Sequence, residues 1–222
     1  MKIYFATGNQ HKKQELANML SGHTIVTPQD AGIAFAPEET GTTFYENSII
    51  KAKALYQLVG GAPVIADDSG LCVAALGGRP GIYSARYAGP DAPQGIPGKQ
   101  IPQTAQNAFL IEELNRALTA GSGAVTGDAA RFPYGQRSAH YTCAMTLYCG
   151  GDRLFVCQET MDGALVDHID AARGTGGFGY DPIFFLPDLG KTAAELSSEE
   201  KNARSHRGKA MRALMHIIAH IV

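Results

Sequence analysis

The apolar positions change period along the chain, and each change marks an element. Lys2 to Ala6 is a short apolar run that predicts a first strand. The segment after it carries Leu16, Met19 and Leu20 at helical spacing, with Gly22 as a stop. Thr24 to Thr27 predicts a second strand. From Thr43 a longer helix begins, and Phe44, Asn47, Lys51, Leu55 and Leu58 advance along it by threes and fours, so they share one face. Two polar residues interrupt that stripe: either Lys51 snorkels at a core edge, or the face borders a polar cleft. Pro63 to Ala66 predicts a third strand and Leu71 to Leu76 a fourth, with the polar DDSG between them.

Further on, Gln103 to Leu118 is helical by period through Phe109, Leu110, Ile111 and Leu114. Two Gly/Pro-rich tracts, Gly89 to Pro102 and Thr119 to Gln136, read as surface loops beside it. Ser138 to Cys149 and Arg153 to Thr160 are strand-like and joined by Gly150-Gly151-Asp152, which predicts a hairpin. A Gly-rich loop, RGTGGFGYDP, leads into the apolar IFFL. Ser197 stands three residues before Glu200, a capping-box spacing, and Leu214, Ile217, Ile218 and Ile221 form a closing helical stripe. Strands alternating with helices early and a hairpin later predict an α/β fold with a mixed sheet and flanking helices, and the length suits one large domain or two small ones.

Composition narrows the function classes. The chain has 222 residues, 45% hydrophobic and 18% charged, with a net charge of −2 and a pI near 6.4. That balance gives no electrostatic footprint for nucleic acid or an anionic membrane. No apolar run is long enough to span a bilayer, and the start MKIYFATGNQ is too short for a signal peptide. Cys72, Cys143, Cys149 and Cys157 lack CxxC spacing and sit in apolar runs, which predicts reduced core thiols and a cytoplasmic protein.

The chemistry gathers where strands are expected to end, TGN after the first and DDSG after the third, the usual ligand position in open α/β sheets. Asp67 and Asp68 repel each other, and a hard divalent cation with oxygen ligands would compensate them. Adjacent strand residues face opposite ways, so one aspartate faces the ligand unless the strand has ended. Glu38-Glu39 is a second acidic pair that can share a metal. Lys12 lies in the first turn of a helix whose N–H groups favour anions, and Lys201, His206 and Arg207 lie in a polar segment before the last helix. Carboxylates for a metal plus cations for an anion make a consistent phosphate site. Phe178, held among four glycines, can stack on a base. TGNQHKKQE is not a Walker loop.

Five ordered blocks carry a resemblance: TGNQHKKQE, EETGTTFYENSIIKAKA, ADDSGLCVAALGGRPGIYSARYAG, GTGGFGYDPIFF and ELSSEEKNARSHRGKAM. Together they resemble the inosine triphosphate pyrophosphatase family, which hydrolyses non-standard purine nucleoside triphosphates (ITP, dITP, XTP) to monophosphate and pyrophosphate. The resemblance implies a single domain over residues 1–222, with an elongated mixed sheet and two lobes around a central nucleotide-binding cleft, a homodimer, and magnesium (Mg2+) as cofactor. It implies that Thr7, Gly8, Asn9, Gln10, His11 and Lys12 contact the triphosphate. Glu39 and Asp68 would be metal ligands, with Asp68 also the general base; Asp67 could share either task. Ser69 and Lys51 would touch the nucleotide. Phe178, Gly179, Tyr180 and Asp181 would form the base pocket, closed by donors from Lys201, His206 and Arg207 to the purine 6-keto oxygen. A related pyrophosphatase acting on pyrimidine or modified nucleotides, or a nucleotide sensor without turnover, are the rival expectations. The loops near 89–102 and 119–136 look longer than the family's pattern.

Overall fold

A computed structural model of the chain describes residues 2–20, 22–87, 101–121 and 134–221. Most of both Gly/Pro-rich tracts falls outside these residues. The described strands are β1 (Lys2–Phe5), β2 (Thr24–Val26), β3 (Val64–Val73), β4 (Ser138–Tyr148), β5 (Leu154–Leu165), β6 (Phe184–Leu186) and β7 (Lys191–Thr192). The α-helices are α1 (Gln10–Met19), α2 (Phe44–Leu58), α3 (Gln103–Thr119), α4 (Ser198–Arg204) and α5 (His206–Ile221). The strands form one mixed sheet in the order β2-β1-β3-β4-β5-β6-β7. β1 runs parallel to β2 and β3, as it must when helices α1 and α2 make the crossovers. β6 is antiparallel to β5 and β7. The hairpin turn between β4 and β5 is closed by the Cys149 N–H donating to the Arg153 carbonyl at 2.9 Å.

Three expectations need correction. The third and fourth strands are one strand, β3, which carries DDSG through its middle. The two carboxylates resemble a turn in sequence, yet cations from three helices compensate them and let the ladder continue. His206 and Arg207 do not precede the last helix but open it, where Ser205 Oγ accepts from the Gly208 N–H at 3.0 Å. Leu58 ends α2 and is exposed rather than part of its buried face.

The chain divides into two compact units, Met1–Ser69 with Thr142–Thr160 and Asn202–Val222, and Gly70–Tyr141 with Met161–Lys201. In the first unit the strand pleat separates two cores. Ile3, Phe5, Ile65, Cys143, Met145 and Leu147 pack with Leu16 of α1 and Ala210, Met211, Leu214 and Ile218 of α5. Their even-numbered neighbours Ala6, Val64 and Ala66 pack with Ala52 and Leu55 of α2. Thr43 caps α2 reciprocally with Glu46, the Glu46 N–H donating to Thr43 Oγ1 at 3.1 Å and the Thr43 N–H to Glu46 Oε2 at 3.2 Å. The Ser197 N–H donates to Glu200 Oε2 at 2.8 Å, as its spacing predicts.

The second unit has its own core, in which Leu71, Val73, Leu110, Leu114, Ile183 and Phe184 are buried together. Glu113 is a buried acid of that unit. It accepts from the Tyr87 hydroxyl at 2.7 Å and pairs with Arg79 at 2.9 Å.

Candidate active site

The pleat of β3 decides what each aspartate meets. Ile65 lies on the α1/α5 side and Ala66 on the α2 side, so the alternation sends Asp67 to the first and Asp68 to the second. Both side chains are buried, Asp67 at 1% exposure and Asp68 at 7%.

On the α2 side, Lys51 Nζ donates to Asp68 Oδ1 at 2.8 Å and lies 3.4 Å from Glu39 Oε1. Asn47, the other polar residue of the α2 stripe, donates from Nδ2 to Asp68 Oδ2 at 3.4 Å and accepts from the Gly41 N–H at 2.9 Å. Asn47 thereby ties the segment carrying Glu39 to Asp68. Burial pushes the Asp68 carboxyl above the ordinary range, and the Lys51 ammonium opposes the shift without cancelling it. Burial alone would depress Lys51, but Asp68, Asp67 and Glu39 outweigh it and hold the ammonium above the usual lysine value.

On the α1/α5 side, Asp67 Oδ2 is 2.9 Å from Lys12 Nζ and accepts from Arg207 Nε and Nη2, each at 3.2 Å. Burial disfavours its charge, but Lys12, Arg207 and Lys51 together hold the carboxyl well below the usual carboxylate range. Arg207 also donates from Nη2 to Ser69 Oγ at 2.9 Å and from Nη1 to Glu15 Oε2 at 2.6 Å. Cys143 lies beside Asp67, and burial pushes its thiol up to about 12, which makes it an inert core residue.

The turn into α1 is built by its own side chains. The Asn9 N–H donates to Thr7 Oγ1 at 3.1 Å, and Asn9 Oδ1 caps the helix by accepting from the His11 and Lys12 N–H groups at 2.9 and 3.2 Å. Thr7 is buried, Gly8, Gln10 and His11 are exposed, and Lys12 points its ammonium to Asp67.

Phe178, Gly179, Tyr180, Asp181 and Lys201 belong to the second unit. Asp181 Oδ2 accepts from the Phe178 N–H at 2.8 Å and from Lys201 Nζ at 2.7 Å, and that ammonium lies 5.0 Å from the Phe178 ring centroid. The Phe178 ring is half-buried. Tyr180 is a core residue whose hydroxyl donates to the Ser84 carbonyl at 3.0 Å, and Asn107 donates to the Gly179 carbonyl at 3.3 Å. Gly177 has φ +69°, and a methyl there would overlap the Asp181 carboxylate and stand 2.9 Å from Lys201 Nζ.

Sequence reasoning singled out Lys12, Lys51 and Asp68, and the structure brings Lys51 to Asp68 and Lys12 to the neighbouring Asp67. It gave Glu15 no role, and noted Asn47 only as one of the two polar residues interrupting the α2 stripe. The signal for Glu15 was its position three residues after Lys12, one turn along the same helix face. The signal for Asn47 was its place with Lys51 in the α2 stripe.

Glu39 and Asp68 converge on one cation with carboxylate oxygens, the donor set a hard divalent metal takes. Among the described residues there is no group of three or more His, Cys, Asp or Glu side chains that could hold a metal unaided. Magnesium needs none, because it binds through one or two carboxylates and completes its shell with substrate phosphates and water.

Residues 3–217 match the Ham1 family. The chain is 46% identical over 218 residues to the dITP/XTP pyrophosphatase of Treponema denticola, covering 98% of each chain. It is 42% identical over 218 residues to the dITP/XTP pyrophosphatase of Escherichia coli strain K12, covering 96% of each. Among solved structures, a HAM1 protein from Coxiella burnetii matches with a TM-score of 0.78 at 33% identity, over 99% of this chain and 98% of that one. A match over nearly the whole length, joined to a mixed sheet whose β3 aspartates meet lysine and arginine side chains from the flanking helices, places the chain in the Ham1 family.

Proposed function

We propose that this protein hydrolyses non-standard purine nucleoside triphosphates (ITP, dITP and XTP) to the monophosphate and pyrophosphate. The observation that carries the reading is the sorting of the two adjacent aspartates of β3 to opposite faces, each beside its own lysine. Around them stand three cations, Lys12, Lys51 and Arg207, and two further carboxylates, Glu15 and Glu39. Such a set does not attract a bare polyanion, so the substrate enters with a divalent cation. Magnesium, held by Glu39 and Asp68, would neutralise phosphate charge and acidify the attacking water. Asp68, its proton affinity raised by burial, accepts the proton as water adds to the α-phosphorus and pyrophosphate departs.

The turn from Thr7 to Lys12, with Ser69 and Lys51, holds the phosphates. Phe178 stacks on the base, and Gly179 and Tyr180 fix the loop beneath it. Asp181 and Lys201 brace that loop, and Lys201, His206 and Arg207 offer donors to the purine. A 6-keto oxygen accepts such a donor, whereas the 6-amino group of adenine leaves it unpaired, which is where large discrimination arises. A homodimer in the cytoplasm completes the reading. The four free thiols fit a reducing compartment, and no described helix is long and apolar enough to cross a membrane.

The test is pyrophosphate release from ITP, XTP, GTP, ATP and dUTP with and without magnesium. Fast turnover of ITP and XTP and slow turnover of ATP and dUTP, lost on chelation, is expected. Preference for dUTP, or tight binding without release, would overturn the reading.

The loop gives a second expected result. Gly177→Ala strains a left-handed backbone by about 1–2 kcal/mol, and relief requires Asp181 to move. KM for ITP should rise about tenfold, the equivalent of roughly 1.4 kcal/mol, while the melting temperature falls by about 2–8 °C. An unchanged KM would remove this loop from base binding.

A further inference from the structure

We infer that Asn47 is a positioning residue for the metal site: its side-chain amide sets the span between Glu39 and Asp68, and so how tightly the two take a divalent cation. This deepens the proposed function and rests on its metal site.

The two carboxylates reach that site by unequal routes. Asp68 stands on β3, inside the sheet. Glu39 comes from residues 33–41, which belong to no helix or strand, so side chains must hold it in place. Lys51 touches both carboxylates, Glu39 at 3.4 Å and Asp68 at 2.8 Å, but it holds them by charge and competes with any cation they would share. Asn47 joins the same two elements without charge. Its Oδ1 accepts from the N–H of Gly41, two residues after Glu39, at 2.9 Å, and its Nδ2 donates to Asp68 Oδ2 at 3.4 Å.

Asn47 is 1% exposed and shares its buried face with Phe44, Lys51 and Leu55. An amide in such a place is costly unless it is hydrogen-bonded. Both ends are bonded here, one to each segment that carries an acid. Position 41 is fitted to this contact. A methyl on Gly41 would stand 2.6 Å from Asn47 Oδ1, 2.7 Å from Glu46 Cβ and 3.0 Å from the Asn47 backbone nitrogen, so the segment would have to lift off the helix. Asn47 and Lys51, one turn apart on α2, also take one oxygen each of Asp68, which fixes the plane of its carboxylate.

The test is a manganese titration of the protein without nucleotide, read from the electron paramagnetic resonance of the free ion, beside the magnesium dependence of ITP hydrolysis. Asn47→Ala should raise the manganese dissociation constant by about ten- to a hundredfold, the usual effect of removing a group that orients metal ligands. The magnesium needed for half-maximal rate should rise too, and the loss of rate should shrink as magnesium is raised. Gly41→Ala disturbs the same bond from the other side and should weaken manganese by about three- to tenfold. Ser48→Ala is the control for the helix alone, because the buried Ser48 hydroxyl bonds to the Tyr45 carbonyl and Thr146 Oγ1 rather than to either acid. It should lower the melting temperature and leave manganese affinity unchanged.

Unchanged manganese affinity in a folded Asn47→Ala protein would overturn the inference, as would an equal loss in Ser48→Ala. If Asn47→Ala does not fold, Gly41→Ala decides by the same titration. Wild-type protein that takes up no manganese would overturn the inference together with the metal site it rests on. Manganese uptake that depends on Asn47, in a protein that releases no pyrophosphate from ITP, would instead refute the proposed function and leave the inference standing.

Discussion

Asp68→Asn should leave a folded protein whose pyrophosphate release from ITP has fallen by about 10²- to 10⁴-fold, the usual contribution of a positioned general base. The substitution keeps size and shape at a buried position, and the amide oxygen can still accept from Lys51. It removes the one carboxylate that is both raised in proton affinity by burial and paired with Glu39 across a shared cation. The measurement is kcat at saturating ITP and magnesium, beside a melting curve. Normal turnover by the folded variant would remove Asp68 from the reaction.

Lys51→Ala should have the largest effect on stability. It takes the cation from between two carboxylates, one of them buried, and breaking a buried pair from one side costs about 3–5 kcal/mol. If Glu39 and Asp68 are metal ligands, magnesium can replace the lost charge. Added magnesium should then raise the melting temperature of Lys51→Ala far more than that of the unaltered protein. Thermal melts over a magnesium titration test this without reference to activity. An equal response in both proteins would mean that the two carboxylates do not hold a metal together.

The fold was legible wherever local pattern decides it. The α2 stripe, the β4–β5 turn and the Ser197–Glu200 cap each follow from spacing within a few residues. β3 was not legible. DDSG is written in turn residues, and what keeps it a strand arrives from Lys51 on α2, Lys12 on α1 and Arg207 on α5. Arg207 lies 140 positions from Asp67, and no window of sequence contains both. The resemblance to a known family named the same residues without their partners. It marked Lys12, Asp68 and Arg207, but not that Arg207 spends its donors on Asp67, Ser69 and Glu15. The split of partners between Asp67 and Asp68, left open by adjacency alone, follows from the pleat once the strand is seen to be unbroken.

That unbroken strand makes this chemistry depend on parity. Asp67 and Asp68 differ from each other only in odd and even position counted from the register in which Tyr4 pairs with Val64. Exchanging an amino acid elsewhere in Val64–Ala66 leaves the count intact. Losing or gaining one residue there inverts it, turning the Lys12–Arg207 side towards Asp68 and the Lys51 side towards Asp67. Over those three buried residues the parity survives exchange of one apolar side chain for another of like size, and does not survive a change of length.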